Sequence, residues 1–208
     1  RMYVHLTTHS TYSLQEGLAS PTALARTAKA DNMKALGLTD DRLLTGAVEF
    51  VRACKEAEIQ PILGLEISLK TGKLPLLATS LEGWANLCRL SSAIALQADP
   101  EKPCSLSLLA SYANNLIALG SAQGDNAGHR LQLLKDIFGT RLYLTLEDPT
   151  IGLPLSSFAR RLDIPMVVTH PVYYLKPDQA RLQRTLAAIR LNKPIGKLTP
   201  EEAAPPDA

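Results

Sequence analysis

Short apolar runs alternate with helix-patterned segments from one end of this 208-residue chain to the other. The apolar runs, expected as strands, are 2–6, 35–39, 61–67, 74–78, 116–119, 142–146 and 165–169. The segments between them with helical spacing are 21–30, 45–58, 82–97, 106–112, 131–138, 156–162 and 177–191. Ser20-Pro21 reads as an N-cap followed by proline at the first helical position. In 45–58 the spacing puts Val48, Val51 and Cys54 on one face. Strands that are apolar throughout are buried on both faces, which is the habit of a parallel sheet under helices. Leu63 and Leu65 are accordingly read as facing opposite ways, both buried. Seven strands in regular alternation with helices predict an α/β barrel, mostly parallel, with its functional residues at the carboxyl ends of the strands.

Composition limits what such a barrel does. At 46% hydrophobic the chain can bury a sizeable core. A net charge of +2 gives no basic excess of the kind that marks a self-sufficient nucleic-acid binder. Cys54, Cys88 and Cys104 are widely spaced and form no CxxC pair, so they read as buried thiols of a reducing cytosol. No apolar run reaches the ~18 residues of a membrane span, and no signal-peptide pattern opens the chain. Neither GxGxxG nor GxxxxGK(S/T) occurs, which removes the usual support for nucleotide-binding sheets. A chain opening on Arg1 reads as a processed or recombinant fragment.

The polar residues at the strand ends carry the functional signal. His5 and His9 flank the end of the first run, with Glu16 in the loop behind it. Asp40 and Asp41 end the second, Glu66 lies inside the third, and Thr169-His170 end the seventh. Imidazole and carboxylate side chains hold zinc or manganese. Each has a plainer role: a histidine at a strand end is often only hydrogen-bonded, and Asp40 can cap its own turn. Glu66 is the hardest to explain away, since a carboxylate in an apolar run needs a cation or donors beside it.

Longer segments carry a resemblance. Val4 to Gly17, with its Val-His-Leu-Thr-Thr-His-Ser opening, is similar to the VHLHTHS-x-YS-LLDG motif of the PHP (polymerase and histidinol phosphatase) domain of bacterial DNA polymerase III alpha subunits. Ala35 to Asp40 resembles ALALTDH, Gly46 to Phe50 is the GAVEF that follows, and Pro61 to Glu66 resembles PIIGCE. Leu76-Leu77-Ala78 with Glu82 to Leu87 resembles LLA-x-x-x-EGY-x-NL, and residues 116–119 and 167–169 match later strands. The matches run in order to about residue 190.

The resemblance implies a distorted seven-stranded β/α barrel of PHP type over residues 1–195, with 196–208 as a linker or frayed tail. It also implies a site of several metal ions in intact members. This chain departs from that ligand pattern. His9, Glu16 and Glu66 stand at family positions, and Asp41 replaces a histidine with another ligand-capable side chain. Thr7, Lys73, Ala122, Pro171 and Tyr173 stand where the family has ligands and offer none, with His5 and His170 as the nearby residues able to compensate. The expectation is therefore a degenerate site holding no cofactor, or at most one divalent ion of zinc, manganese or magnesium. The function implied is structural support in DNA replication, within a cytoplasmic polymerase-like chain. Its partners would be the rest of that chain or replisome proteins, with DNA reached through the parent protein and no membrane involved. The alternatives are a residual phosphoesterase or 3′–5′ exonuclease, and a stand-alone polymerase-derived module for DNA repair.

Overall fold

The computed structural model describes residues 3–99, 102–124, 126–199 and 202–204. It is a mixed α/β fold whose strands hydrogen-bond in the order β1 to β6. The chain divides into two compact units, one formed by Arg1–Ile62 with His170–Ala208 and the other by Leu63–Thr169.

In the first unit, α1 (Pro21–Ala30) starts as expected: the Ser20 hydroxyl accepts from Ala23 N at 3.2 Å and Pro21 occupies the first turn. It buries Leu24, Ala25 and Ala28 and packs on α2 (Ala47–Glu56). The apolar face of α2 differs from the one read off the spacing. Phe50, Ala53 and Cys54 are buried, whereas Val48 is 70% exposed. Phe50 supplies more apolar area than either valine, and the small Ala47 and Ala53 let α1 come close. Burial pushes the Cys54 thiol up to about 11, so it is an inert core residue.

The first expected strand, 2–6, lies partly outside the described residues, and 3–7 do not form a regular strand. The segment still runs extended beside β1 (Ala35–Leu38): Gly37 N donates to His5 O and Thr39 N to Thr8 O. A Cβ on Gly37 would lie 2.3 Å from Leu6 O, so only glycine permits this approach. On its other side the segment meets Val172, with His9 N bonded to Val172 O and Val172 N to Thr7 O. Among the described residues the count is therefore six strands, not seven. α7 (Ala180–Arg190) closes the unit. In the segment expected as a tail, Leu198 is buried against Ala187 and Ala188.

The second unit contains most of β2 (Gln60–Leu69), then β3 (Gly72–Ala78), β4 (Leu116–Gly120), β5 (Leu142–Leu146) and β6 (Met166–Val168). Its helices are α3 (Leu81–Ala95), α4 (Leu106–Ser111), α5 (Ala127–Phe138) and α6 (Gly152–Leu162). The sheet is not mostly parallel as expected. β2–β3 and β3–β4 are antiparallel, and only β4–β5 and β5–β6 are parallel. A parallel crossover needs roughly a dozen residues. Only Lys70 and Thr71 separate β2 from β3, so that pair folds as a hairpin.

Residues 64–67 are all buried, so both faces of β2 are covered there. Leu63 and Leu65 do not face opposite ways: residues two apart on a strand share a face. Leu65, fully buried opposite Leu76, anchors this core. Leu65→Ala is expected to cost about 2–5 kcal/mol of unfolding free energy. A denaturant midpoint within experimental error of the wild type would show that the strand is not core.

Candidate metal centre

Several expected site residues lie in the first unit, and serines organise them. Asp40, buried at the end of β1, accepts from Ser10 N and Ser13 Oγ on Oδ1 and from Ser10 Oγ on Oδ2, each at 2.7 Å. Asp40 is thus a satisfied structural carboxylate holding the 10–13 turn. Ser13 Oγ also accepts from Asp41 N at 3.0 Å and lies 3.2 Å from His9 Nδ1. A hydroxyl has one proton, and here it goes to the Asp40 carboxylate, which cannot donate. His9 Nδ1 must then carry a proton and donate to Ser13, which leaves Nε2 as the ring's ligand-capable nitrogen. The loop returns past Gly17, where a Cβ would stand 2.2 Å from Ser10 O.

His9 and Glu16 come together, a ligand atom of one within 4.8 Å of a ligand atom of the other, and both side chains are buried. Each already has a protein neighbour. Tyr173 lies flat on the His9 ring, with centroids 4.4 Å apart and planes 6° apart. Arg190, from the last turn of α7, pairs with Glu16 at 3.0 Å. Sequence reasoning missed Arg190, since nothing local links position 190 to position 16. Asp41 turns to Arg42 at 3.1 Å. Thr7 is buried, and its hydroxyl has no hydrogen-bond partner among the described residues.

His5 and His170 face one another, ring centroids 6.3 Å apart, on a cavity of about 340 Å³. His5 Nδ1 donates to His170 O at 3.3 Å. Burial pushes the His5 imidazole below its ordinary range, against the opposing pull of that hydrogen bond. Among the described residues, His5, His170 and Asp41 join no group of three metal-capable side chains. Pro171 lies on the same return segment and has no donor atom.

In the second unit Glu66 is buried on β2, and Lys73 Nζ lies 2.8 Å from its Oε1. The hairpin register opposes Ser68 to Lys73 and Glu66 to Pro75, so Glu66 and Lys73 are diagonal neighbours on one face. Ala122 follows β4 and lines a second cavity.

The PHP domain profile matches residues 5–148. This chain belongs to the PHP domain family. Similar proteins include the DNA polymerase III alpha subunit of Halalkalibacterium halodurans, 31% identical over 207 residues, covering 90% of this chain and 18% of that one. The alpha subunit of Aquifex aeolicus is 28% identical, covering 95% of this chain and 20% of its own length. An error-prone DNA polymerase of Symbiobacterium thermophilum is 31% identical, with 96% and 22% covered. This PHP domain thus spans about a fifth of those relatives. Among solved structures, an amidohydrolase from Chromobacterium violaceum aligns with a TM-score of 0.62 at 15% identity, over 85% of this chain and 89% of that one. A putative metal-dependent phosphoesterase from Bifidobacterium adolescentis aligns with a TM-score of 0.54 at 13% identity, over 82% and 87%. At such identities the likeness is one of fold. No helix among the described residues is long and apolar enough to cross a membrane.

Three substitutions probe the charges and the hydroxyl left at family ligand positions. Lys73→Met is expected to destabilise the domain by about 1–3 kcal/mol, below the ~3–5 of a wholly buried pair because the lysine side chain is 39% exposed. Adding Glu66→Gln should recover most of that loss in a double-mutant cycle, and additive losses would show that the two do not interact. Thr7→Val removes an unpartnered buried hydroxyl at nearly constant shape. It should leave stability unchanged or raise it by up to ~1 kcal/mol, whereas a loss of that size would mean the hydroxyl is engaged.

Proposed function

We propose that this PHP domain is a structural module of a cytoplasmic DNA polymerase III alpha-like chain and hydrolyses nothing itself. The observation that carries the reading is the Lys73–Glu66 contact of 2.8 Å. A phosphoesterase of this family would need metal ions to polarise the phosphoryl oxygen and lower the pKa of water. A multi-ion cluster does not fit these residues. An ammonium group stands against one family carboxylate and a guanidinium, 3.0 Å away, against the other. Lysine and arginine offer no lone pair at neutral pH. Thr7, Ala122 and Pro171 supply no replacement, and Tyr173 spends its ring on His9.

What this chain's residues do instead is hold a fold. Arg190 ties α7 to the 9–17 loop, and Lys73 ties the hairpin to its own buried acid. Such a module would brace the rest of the polymerase chain or present a surface to replisome proteins, reaching DNA only through the parent protein.

Elemental analysis of the purified protein, with cleavage assays on bis-p-nitrophenyl phosphate and 3′-ended single-stranded DNA in manganese or zinc, tests the reading. Well under one bound ion per chain and no cleavage above the metal-only background are expected. Two or more ions per chain, or cleavage abolished by Glu66→Gln, would show an active residual phosphoesterase.

A further inference from the structure

The second unit carries a cavity of about 480 Å³ beyond the carboxyl ends of the parallel strands β4 and β5. That is where open α/β sheets take ligands. Its size lies within the range of small-molecule sites. One wall is apolar, made by Ile151, Leu155 and Phe158 of the β5–α6 segment. Ile151 is 45% exposed, a large side chain left open at the mouth. Glu147 and Asp148, directly after β5, add an acidic edge, and Asp148 shares a turn with Ile151, whose N–H donates to Asp148 O at 3.3 Å.

Three features make this a built cavity. The Arg130 guanidinium donates to Thr71 O at 3.0 Å and to Ser121 O and Gln123 O at 2.7 Å each, which fixes the lip containing Ala122. Thr150 N and Oγ1 donate to Asp148 Oδ1 at 2.8 and 2.7 Å, so the carboxylate is oriented with its second oxygen left for a ligand. Those bonds also hold the Asp148 carboxyl below its usual range, hence ionised at neutral pH. Finally, α5 begins with Ala127-Gly128, where a side chain on Gly128 would enter toward the Phe158 ring, 3.8 Å from its Cβ.

We propose that this cavity binds an organic cation with a flat or branched apolar body, its charged head at Asp148 and its body against Leu155 and Phe158. Charge complementarity and the apolar wall together select that chemistry: an anion is repelled by the acidic rim, and a neutral apolar molecule gains nothing from the Asp148 carboxylate. The same chemistry occurs in a free aryl amidine and in an arginine beside an aromatic residue of a peptide.

Two probes separate the sources: benzamidine, and the capped dipeptide N-acetyl-Arg-Phe-amide, each titrated into the whole 208-residue chain by amide-resolved NMR. Benzyl alcohol serves as the neutral control. Saturable shifts at residues 121–128 and 147–158 are expected for at least one cation, about threefold or more tighter than for benzyl alcohol, since exposed acids give only modest selectivity. The tighter of the two cations names the source. Asp148→Asn should remove the preference over benzyl alcohol. Gly128→Leu fills the cavity while favouring helix, and should abolish binding of all three. Failure of both cations to saturate, binding no tighter than the alcohol's, or binding that survives Gly128→Leu in a folded variant, would each overturn the proposal.

Discussion

A carboxylate taken out of water must meet a positive charge or a full set of donors, and the surroundings of each buried acid in this PHP domain answer that requirement. Three buried acids meet it in two ways. Asp40 takes three short hydrogen bonds from Ser10 and Ser13. Glu16 and Glu66 take one cation each, Arg190 and Lys73. In a metal-dependent relative the ions themselves supply such compensation. In this chain protein groups also stand beside each acid, so the acids serve the fold whether or not an ion binds.

The Asp40–Ser13–His9 chain extends the same logic to the imidazole. Because the carboxylate claims Ser13's only proton, the hydroxyl can only accept from Asp41 N and His9 Nδ1. The ring is thereby fixed by neighbours within the first unit, and Tyr173 stacks on its face. An orientation set by such supporting contacts is what metal-binding histidines ordinarily need. Beside Thr7 and Pro171, the contacts of Ser13 and Tyr173 set that orientation from within the loop and the return segment.

Much of this was legible in the sequence because it is local. The Ser20-Pro21 start of α1 and the positions of β1 to β6 depend on residues close in the chain or on short motifs. What was not legible depends on tertiary choices. Spacing alone offered Val48 and Val51 as the buried face of α2, but burial followed Phe50 and the small alanines that let α1 approach. The first apolar run was visible, yet His5 O meets Gly37 N without a regular strand forming over 3–7, and the bonds to Val172 come from Thr7 and His9 beyond the run. Arg190 was invisible because its partner lies at the other end of the chain.

The hairpin shows how a small backbone feature decides the chemistry. Lys70 and Thr71 form the whole connection, and Gly72 takes a φ of +121°, which L side chains rarely adopt. That turn sets Leu69 opposite Gly72 and so places Lys73 diagonally beside Glu66 on one face. Strand side chains alternate, so a register slip of one residue would send Lys73 to the other face and leave Glu66 buried without its ammonium. The cost of a buried unpaired charge opposes that slip. The ion pair and the turn therefore specify one another: the turn positions the lysine, and the buried acid rejects every register that would move it.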